Sequence, residues 1–368
     1  MIDSPKFIPV YQPSLLGNEK KYVLDCLESG WISSKGDYVN RFEESFASRV
    51  GIKYANSVCN GTAALHLALL AAGIGKGDEV IVPTLTYIAS VNCIKYVGAT
   101  PVFIDSCKFT WQLDPELIID KITPKTKAII CVHLYGGMCN MDPIVNIAKK
   151  HNLYVIEDCA EAFGSQYKGR NAGVFGDVAC YSFYGNKTIT TGEGGMVVTN
   201  DHTLTTRVAR LKGQGLAPNR QYWHDMVGYN YRMTNLCAAI GLAQLETSDS
   251  IIFKKNKIAE FFRENLASLP IEFQQTGVEV ISSSWMFSIL VKDFEMREAI
   301  RHYLNSKSIE TRPIFYPIHT MPMYYDQFSR FPIAENLGER GLNLPSWPDL
   351  TTENLDYISA CIHSFFKN

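Results

Sequence analysis

The sequence predicts an α/β fold in which a large domain with a parallel sheet is followed by a smaller α+β domain. Two observations lead to this fold class. Between about residues 37 and 200, short apolar runs rich in Val and Ile alternate with helical patterns. This alternation is typical of βαβ units with both sheet faces covered. Beyond about residue 265, strands and helices follow in a different order, which indicates a second domain.

The elements of the large domain are predicted in chain order. Phe42, Phe46 and Val50 recur at positions i, i+4 and i+8, which predicts an amphipathic helix over 37–50. The Ala- and Leu-rich stretch 61–73 predicts a buried helix that a glycine ends. The predicted strands cover 79–82, 101–104, 128–133 and 153–156, and the helical patterns between them cover 87–98, 114–121 and 142–151.

A second set of patterns predicts the C-terminal part. Residues 234–265 contain few helix breakers, so this segment is expected to be helical and to link the two domains. The remaining elements are strands at 271–274 and 285–291, a helix at 295–306, a Pro-rich stretch at 312–322 and a last helix at 353–366. The predicted domains are therefore 1–250 and 251–368.

Composition excludes several classes of protein. Hydrophobic residues make up 46% and charged residues 20%, and the 35 Lys+Arg nearly balance the 37 Asp+Glu. Without a basic excess, neither nucleic acid nor a membrane is expected as a partner. No run approaches the ~18 apolar residues of a spanning helix, and residues 1–5 lack the features of a signal peptide. We expect a soluble, cytoplasmic protein.

The 10 cysteines form no C-x-x-C pair, and most lie in apolar stretches. In a cytoplasmic chain this distribution is typical of reduced, buried thiols. No His/Cys spacing matches a zinc site, so no metal is expected.

The most unusual segment is 181–195. Its single lysine, Lys187, lies among small, hydroxyl-bearing and glycine residues between apolar strands, and the next acidic residue is Glu193. A lysine in such surroundings loses its proton more readily than a solvated one, as Schiff-base chemistry requires. A solvated loop lysine has the same local features, so the segment alone does not decide between the two.

A second segment places carboxylates at the end of a predicted strand. Glu157 and Asp158 directly follow the apolar run at 153–156, and Glu161 lies three residues further on. Ligands of open α/β sheets bind at the carboxyl ends of the strands, where these residues are expected. A buried Asp needs a cationic or hydrogen-bonding partner. The pyridine nitrogen of pyridoxal phosphate, which must stay protonated for the ring to act as an electron sink, is such a partner. The alternative is that Asp158 caps the next helix.

A third segment, Asn60-Gly61-Thr62-Ala63, opens the predicted helix at 61–73. Glycine lets backbone N–H groups approach a ligand closely, threonine adds a hydroxyl, and a helix N-terminus favours anions. The segment therefore predicts a phosphate cradle, although a plain helix N-cap has the same residues. A Rossmann site and a Walker site are excluded, because no G-x-G-x-x-G follows a strand and the Walker pattern is missing.

The predicted phosphate cradle, Asp158 at the end of a strand and the isolated Lys187 occur in the order found in fold-type-I pyridoxal-phosphate enzymes. Over nearly its whole length, the sequence resembles the DegT-like sugar-nucleotide aminotransferases. Within that family it looks closest to the members that form GDP-perosamine, through residues 8–15, 220–225 and 311–324. The stretches that resemble the whole family are WISSKG (31–36), NGT (60–62), PTLTY (83–87), ED (157–158), SF (182–183), NK (186–187), TGEGG (191–195), NYRMTN (230–235) and NLP (343–345).

This resemblance implies a fold-type-I aminotransferase whose large domain has a mixed, mostly parallel sheet. Lys187 resembles the Schiff-base lysine, and Asp158 resembles the partner of the pyridine nitrogen. Glu161 departs from much of the family, which has Gln or His near the ring hydroxyl. The other implied cofactor contacts are Gly61, Thr62, Ala63 and Ser182 at the phosphate, Tyr87 stacked on the ring, and Asn235 at the phosphate of the neighbouring subunit's cofactor. For Tyr87, a core tyrosine on a helix stays an alternative.

Candidate substrate residues also come from the resemblance. An arginine suits a carboxylate or diphosphate because its fork is bidentate. Trp31 and Lys35 lie in a Gly-containing loop that could contact the nucleotide diphosphate. For each candidate, an ordinary surface salt bridge stays an alternative. The segments that face the site in relatives contain Arg232, Arg312, Tyr316 and His319.

The predicted function is that of a homodimeric aminotransferase. Glutamate would convert pyridoxal phosphate to pyridoxamine phosphate and leave as 2-oxoglutarate, and a GDP-linked sugar, GDP-4-keto-6-deoxymannose, would take the amino group at C4. An aminotransferase for a UDP- or dTDP-linked keto sugar and a sugar 3-dehydratase stay open, although in the dehydratase relatives a histidine replaces the lysine. A non-catalytic regulator is disfavoured, since the chain has neither spare length nor basic charge for a DNA-binding module.

Overall fold

The computed structural model describes residues 7–367, which confirm the predicted α/β class. Its α-helices are α1 (Glu19–Ser29), α2 (Asp37–Val50), α3 (Gly61–Ala71), α4 (Ala89–Tyr96), α5 (Met141–His151), α6 (His202–Lys212), α7 (Asn235–Glu246), α8 (Ser248–Asn265), α9 (Phe294–Ser306), α10 (Pro332–Arg340) and α11 (Thr352–Lys367). Its strands are β1 (Tyr54–Val58), β2 (Glu79–Pro83), β3 (Thr100–Ile104), β4 (Thr126–Val132), β5 (Tyr154–Asp158), β6 (Gln166–Tyr167), β7 (Arg170–Asn171), β8 (Val178–Ser182), β9 (Gly195–Thr199), β10 (Glu272–Phe273), β11 (Val280–Ile281), β12 (Phe287–Leu290), β13 (Arg312–Pro313) and β14 (Gly341–Leu344).

The large sheet has seven strands in the order β1-β9-β8-β5-β4-β2-β3. Six strands run in the same direction, and β9 is antiparallel to its neighbours β1 and β8. The prediction of a mixed, mostly parallel sheet is therefore confirmed. Because β5 and β8 are parallel neighbours, their last residues, Asp158 and Ser182, lie at the same edge of the sheet.

Side chains that alternate along the strands enter two separate cores. Ile81 and Ile129 belong to the core that contains α2, α5 and α7. Val80, Ala128 and Ile130 belong to the core that contains α3, α4 and α6. Both faces of the sheet are covered by helices, which explains why the parallel strands read as continuous apolar runs.

One predicted helix has a different form in the structure. Residues 114–121 make two 3-10 turns, Pro115–Leu117 and Ile119–Lys121, in place of an α-helix. Asp114 caps the first turn through its side chain. The residue before Pro124 is disfavoured in a helix, so the segment is too short to continue into regular α-helical turns.

The predicted helical segment 234–265 consists of two helices, α7 and α8, which are bent by 63° at Thr247. The Thr247 hydroxyl donates to the Gln244 carbonyl (3.3 Å), and such bonds compete with the helix ladder. Helix α7 packs on the large sheet, whereas α8 contributes Ile258 and Phe262 to a third core. Within residues 7–367, no single helix has the length and apolar composition of a membrane span, and only this bent pair has them jointly.

The third core surrounds a four-stranded antiparallel sheet in the order β10-β12-β14-β13. Helices α8, α9 and α11 pack on it. The N-terminal arm (residues 7–11) joins this core, since Ile8 pairs with Ile309 and the Trp347 indole donates to the Pro9 carbonyl (3.0 Å). The predicted domain boundary, which falls within α8, stays a prediction.

Candidate active site

A cleft of about 640 Å³ opens at the carboxyl ends of the parallel strands. This is the edge at which open α/β sheets bind ligands. Walls from the large sheet and from the segments around β12 and β13 enclose it. It brings together nine of the fifteen predicted site residues: Gly61, Thr62, Ala63, Tyr87, Asp158, Glu161, Ser182, Lys187 and Arg312.

The N-terminus of α3 forms one end of the cleft. Its cap, Asn60, accepts a hydrogen bond from the Ala63 N–H (2.8 Å), which leaves the N–H groups of Gly61 and Thr62 available for a ligand. A Cβ on Gly61 would lie 2.7 Å from the Cβ of Ser182, so only glycine lets Ser182 approach the helix start. Two N–H groups, two hydroxyls and the helix dipole together suit a phosphate.

Asp158 ends β5 and is buried. Its Oδ2 accepts a hydrogen bond from the Ser90 hydroxyl (2.7 Å), and its Oδ1 accepts one from the Ala160 N–H (3.1 Å). Burial raises the pKa of Asp158, and these hydrogen bonds together with the Lys187 charge act in the opposite direction. A cationic group held against the carboxylate would favour its ionised form, as the predicted pyridinium partner requires.

Lys187 lies in the loop between β8 and β9, and its side chain is largely buried. Its Nζ is 3.7 Å from Oε1 of Glu161 and 4.1 Å from the centre of the Trp285 ring. Burial lowers the pKa of Lys187, while Glu161 and Asp158 partly oppose that shift. An amine that gives up its proton readily is suited to forming a Schiff base.

Two hydrogen bonds from distant segments fix the backbone of this lysine. The Tyr11 hydroxyl donates to the Lys187 carbonyl (2.5 Å), and the Trp285 indole N–H donates to the Asn186 carbonyl (2.7 Å). Tyr11 belongs to the N-terminal arm and Trp285 to the segment before β12. Sequence reasoning missed both contacts, since neither residue carries a local signal that points to position 187.

These observations fit pyridoxal phosphate. The cradle at α3 matches the phosphate, the buried carboxylate of Asp158 matches a protonated ring nitrogen, and the Lys187 amine matches the aldehyde. Ser90, which sequence reasoning also missed, would hold Asp158 in orientation through its hydroxyl. The sequence feature that could have identified Ser90 is its position three residues after Tyr87, on the first turn of α4.

Two further predicted residues lie at the mouth of the cleft. Tyr87 is 56% exposed, and its ring centre is 5.6 Å from that of Phe315. The Arg312 guanidinium is half exposed and pairs with Glu310 (3.1 Å). An exposed aromatic ring and a guanidinium at the mouth are suited to a planar group and an anion, respectively.

Tyr316 and His319 line a different cavity of about 460 Å³. His319 is buried, with its Nδ1 2.7 Å from the Thr84 hydroxyl and its Nε2 3.0 Å from a carboxylate oxygen of Glu335. The Tyr316 hydroxyl accepts a hydrogen bond from the buried Arg297 (3.3 Å). In a single chain neither residue lines the cleft, and their assignment to the substrate stays a prediction.

Trp31, Lys35, Arg232 and Asn235 also lie outside the cleft lining of one chain. The Asn235 side chain is buried at the start of α7, where its amide donates to the Trp31 carbonyl (2.7 Å). Its Oδ1 has no hydrogen-bond partner within residues 7–367. Asn235 therefore holds the loop that carries Trp31 and Lys35, and its predicted role at a neighbouring subunit stays a prediction.

Beside Asp158, a buried cluster of His133, Glu157 and Cys159 holds its ligand-type atoms within 4.8 Å of one another. His133 Nε2 donates to Glu157 (3.0 Å), whose oxygens also accept three backbone N–H groups from 173–176. The Glu157 carboxylate is thus fully used in fixing β5 against that turn. We assign the cluster a structural role.

The sequence profile of the DegT/DnrJ/EryC1/StrS aminotransferase family matches residues 13–363. A GDP-perosamine synthase of Escherichia coli O157:H7 is 60% identical over 363 residues, which are 99% of this chain and 100% of that protein. A GDP-perosamine synthase of Vibrio cholerae is 50% identical over 98% of this chain and 99% of its own length.

The fold also matches solved structures. Spr1654 from Streptococcus pneumoniae, solved in a PLP-form and a PMP-form, superposes with a TM-score of 0.92 at 28% identity. The match to its PLP-form covers 98% of this chain and 98% of that chain.

Proposed function

The chain belongs to the DegT/DnrJ/EryC1/StrS aminotransferase family and is a pyridoxal-phosphate-dependent sugar aminotransferase, and we propose that it aminates a GDP-linked keto sugar. The predicted family, fold and cofactor are thereby confirmed. The observation that carries the substrate proposal is the 60% identity, over 99% of this chain, to a protein named GDP-perosamine synthase. The proposed reaction is amination of GDP-4-keto-6-deoxymannose at C4, with glutamate as the donor.

In this proposal each cleft residue has a separate task. Pyridoxal phosphate, when bound, supplies an electron sink for the carbon that gains or loses the amino group. Gly61, Thr62 and Ser182 would bind the phosphate, and Asp158 would favour a protonated ring nitrogen. Lys187 would hold the cofactor covalently, and its amine, once free, would move a proton. A dehydratase is disfavoured, because a lysine occupies the position at which the dehydratase relatives have a histidine.

Nucleotide preference tests the proposed substrate. We expect kcat/KM for the GDP-linked 4-keto-6-deoxy sugar to exceed that for UDP- and dTDP-linked sugars, by up to on the order of 10⁴-fold. The physical reason is that a site built to hydrogen-bond guanine leaves buried polar groups unpaired against uracil or thymine. The measurement is kcat/KM at fixed glutamate, with products identified by mass. Preference for a UDP- or dTDP-linked sugar would overturn the substrate while leaving the aminotransferase standing.

We further propose that the enzyme is a homodimer with shared active sites. Leu24, Leu27, Trp31 and Ile32 expose between 46% and 56% of their surface along α1 and the loop after it. Exposed apolar side chains of this kind are typical of an interface, and a two-fold pair is the commonest homo-oligomer.

Mixed dimers test the sharing of the site. We expect Asn235→Ala to weaken cofactor retention and Lys187→Ala to abolish covalent capture. If Asn235 serves the neighbouring subunit, a heterodimer of the two variants contains one site with both native residues and regains activity at that site. Sedimentation of wild type and of the mixed pair gives the assembly state. A fully active monomer, or a mixture no more active than its separate components, contradicts the proposal.

A cytoplasmic location belongs to the same proposal. All ten cysteines lie within the described part of the chain and have free thiols, and seven of them are buried. Reduced thiols of this number are typical of a reducing compartment.

A further inference from the structure

Within the described residues, Glu161 is the carboxylate that forms a salt bridge with the amine of Lys187. It lies in the turn after β5 and is 4% exposed. Its Oε2 accepts a hydrogen bond from the Tyr135 N–H (2.8 Å), which fixes the carboxylate plane. Its Oε1 faces the Lys187 Nζ at 3.7 Å. One oxygen therefore orients the group, and the other is directed at the amine.

Burial acts against the charge on both members of this pair. It raises the pKa of Glu161 to about 7 and lowers the pKa of Lys187 below its usual range. Their mutual attraction opposes both shifts without cancelling them. Transfer of one proton from the ammonium to the carboxylate converts a buried ion pair into a neutral pair, and the net charge of the cleft does not change.

We propose that Glu161 is the proton partner of Lys187: its carboxylate lies beside the ammonium and holds the proton there, and it accepts that proton when the amine binds the cofactor covalently. For this step the two side chains close from 3.7 Å to hydrogen-bond distance; an Nζ–H bond then breaks and an Oε1–H bond forms. The same proton returns when the lysine is released. The inference rests on the proposed function, in which Lys187 is the Schiff-base lysine.

Other charged groups near the pair do not compete for this role. Both oxygens of Asp158 already accept hydrogen bonds from Ser90 and Ala160, and its charge raises the pKa of both Glu161 and Lys187. The Tyr135 phenol accepts a backbone N–H, and burial raises its pKa, so it stays neutral. Beyond Asp158, the His133 ring is paired with Glu157. Glu193 and Arg312 also line the cleft, and Arg312 is paired with Glu310.

The test follows capture of pyridoxal 5′-phosphate by the cofactor-free protein between pH 5 and pH 9. Visible absorbance gives the rate, and borohydride reduction followed by peptide mapping locates the label. The wild-type rate should change in two protonation steps, because two coupled groups titrate. In Glu161→Gln we expect a single step at lower pH, because the carboxylate that raised the pKa of Lys187 is gone. At pH 6 this variant should capture the cofactor several-fold faster than wild type.

Turnover should change in the opposite direction. Without its internal proton acceptor, Glu161→Gln should lose about a hundredfold in kcat, while KM for the sugar stays unchanged. Glu161→Asp, which keeps a titratable group, should retain two steps and part of the turnover. The matched control is Glu79→Gln, at the start of β2 on the opposite sheet edge, which should behave as wild type.

Each outcome decides between the ideas. A wild-type label on a lysine other than Lys187 overturns the proposed function itself. A label on Lys187 with an unchanged capture profile in Glu161→Gln overturns the proton partner alone. Slower capture together with slower turnover in that variant indicates a structural role and also overturns it. If Glu161→Gln does not fold, a single protonation step in Glu161→Asp contradicts the inference.

Discussion

Lys187→Ala is expected to abolish covalent capture of pyridoxal phosphate and to lower turnover at least about a thousandfold, or by roughly 4 kcal/mol. Within the described residues that line the cleft, Lys187 is the one lysine, and its buried amine loses its proton readily. The loaded wild-type protein should absorb in the visible, and borohydride should fix the label on this residue.

Lys168→Ala is the control for this variant. Lys168 lies between β6 and β7, outside the cleft, and pairs with Asp142 at the surface (2.7 Å). Its removal should leave capture and turnover near wild type, because an exposed ion pair contributes little. Recovery of the borohydride label on another lysine of the wild-type protein would show that Lys187 is not the Schiff-base residue.

Asp158→Asn is expected to let the cofactor bind but to lower turnover by about 10²–10⁴-fold. The substitution keeps the shape of the side chain and removes the charge that favours a protonated ring nitrogen. A loss of this size corresponds to about 3–5 kcal/mol of transition-state stabilisation. The measurements are kcat and the absorbance of the bound cofactor as a function of pH.

Ser90→Ala provides the comparison for this second variant. It removes the hydrogen bond to Oδ2 of Asp158 but keeps the carboxylate charge. The loss of turnover in Ser90→Ala should be smaller than in Asp158→Asn, equivalent to about 1–3 kcal/mol. Near-normal turnover in Asp158→Asn, or an equal loss in both variants, would contradict the assignment of the charge as the important property.

Much of the large domain follows from local sequence patterns. The strands β2 to β5 are buried on both faces of the sheet. Their sequences are therefore continuous apolar runs, from which buried parallel strands can be predicted. The break at Thr247 was missed, because a threonine is tolerated within helices and only its side-chain hydrogen bond shows the bend. The turns at 114–121 depend on a cap and a nearby proline, which a periodicity pattern does not weigh.

The candidate site was predictable where a motif lies on one strand or one helix start, as at Asp158 and Gly61. Trp285 was not predictable, because its contact with the Lys187 loop joins segments about a hundred residues apart in sequence. Tyr316 and His319 belong to a segment that resembles relatives, yet both lie in a separate cavity of the single chain. Resemblance carries over the order of residues, whereas the chain's own packing decides which cavity they line.

The N-terminal arm has a consequence for the order in which this protein forms. The Val10 N–H bonds to Glu310, 300 positions later, and Pro9 accepts from Trp347, 338 positions later. On the ribosome the arm emerges well before these partners and stays without them until residues 310 and 347 have been made. The seven-stranded sheet, complete at Thr199, can assemble before then, since domains generally fold as units from the N-terminus. Tyr11 reaches the Lys187 carbonyl from this arm, so the catalytic loop acquires its final position among the last events of folding.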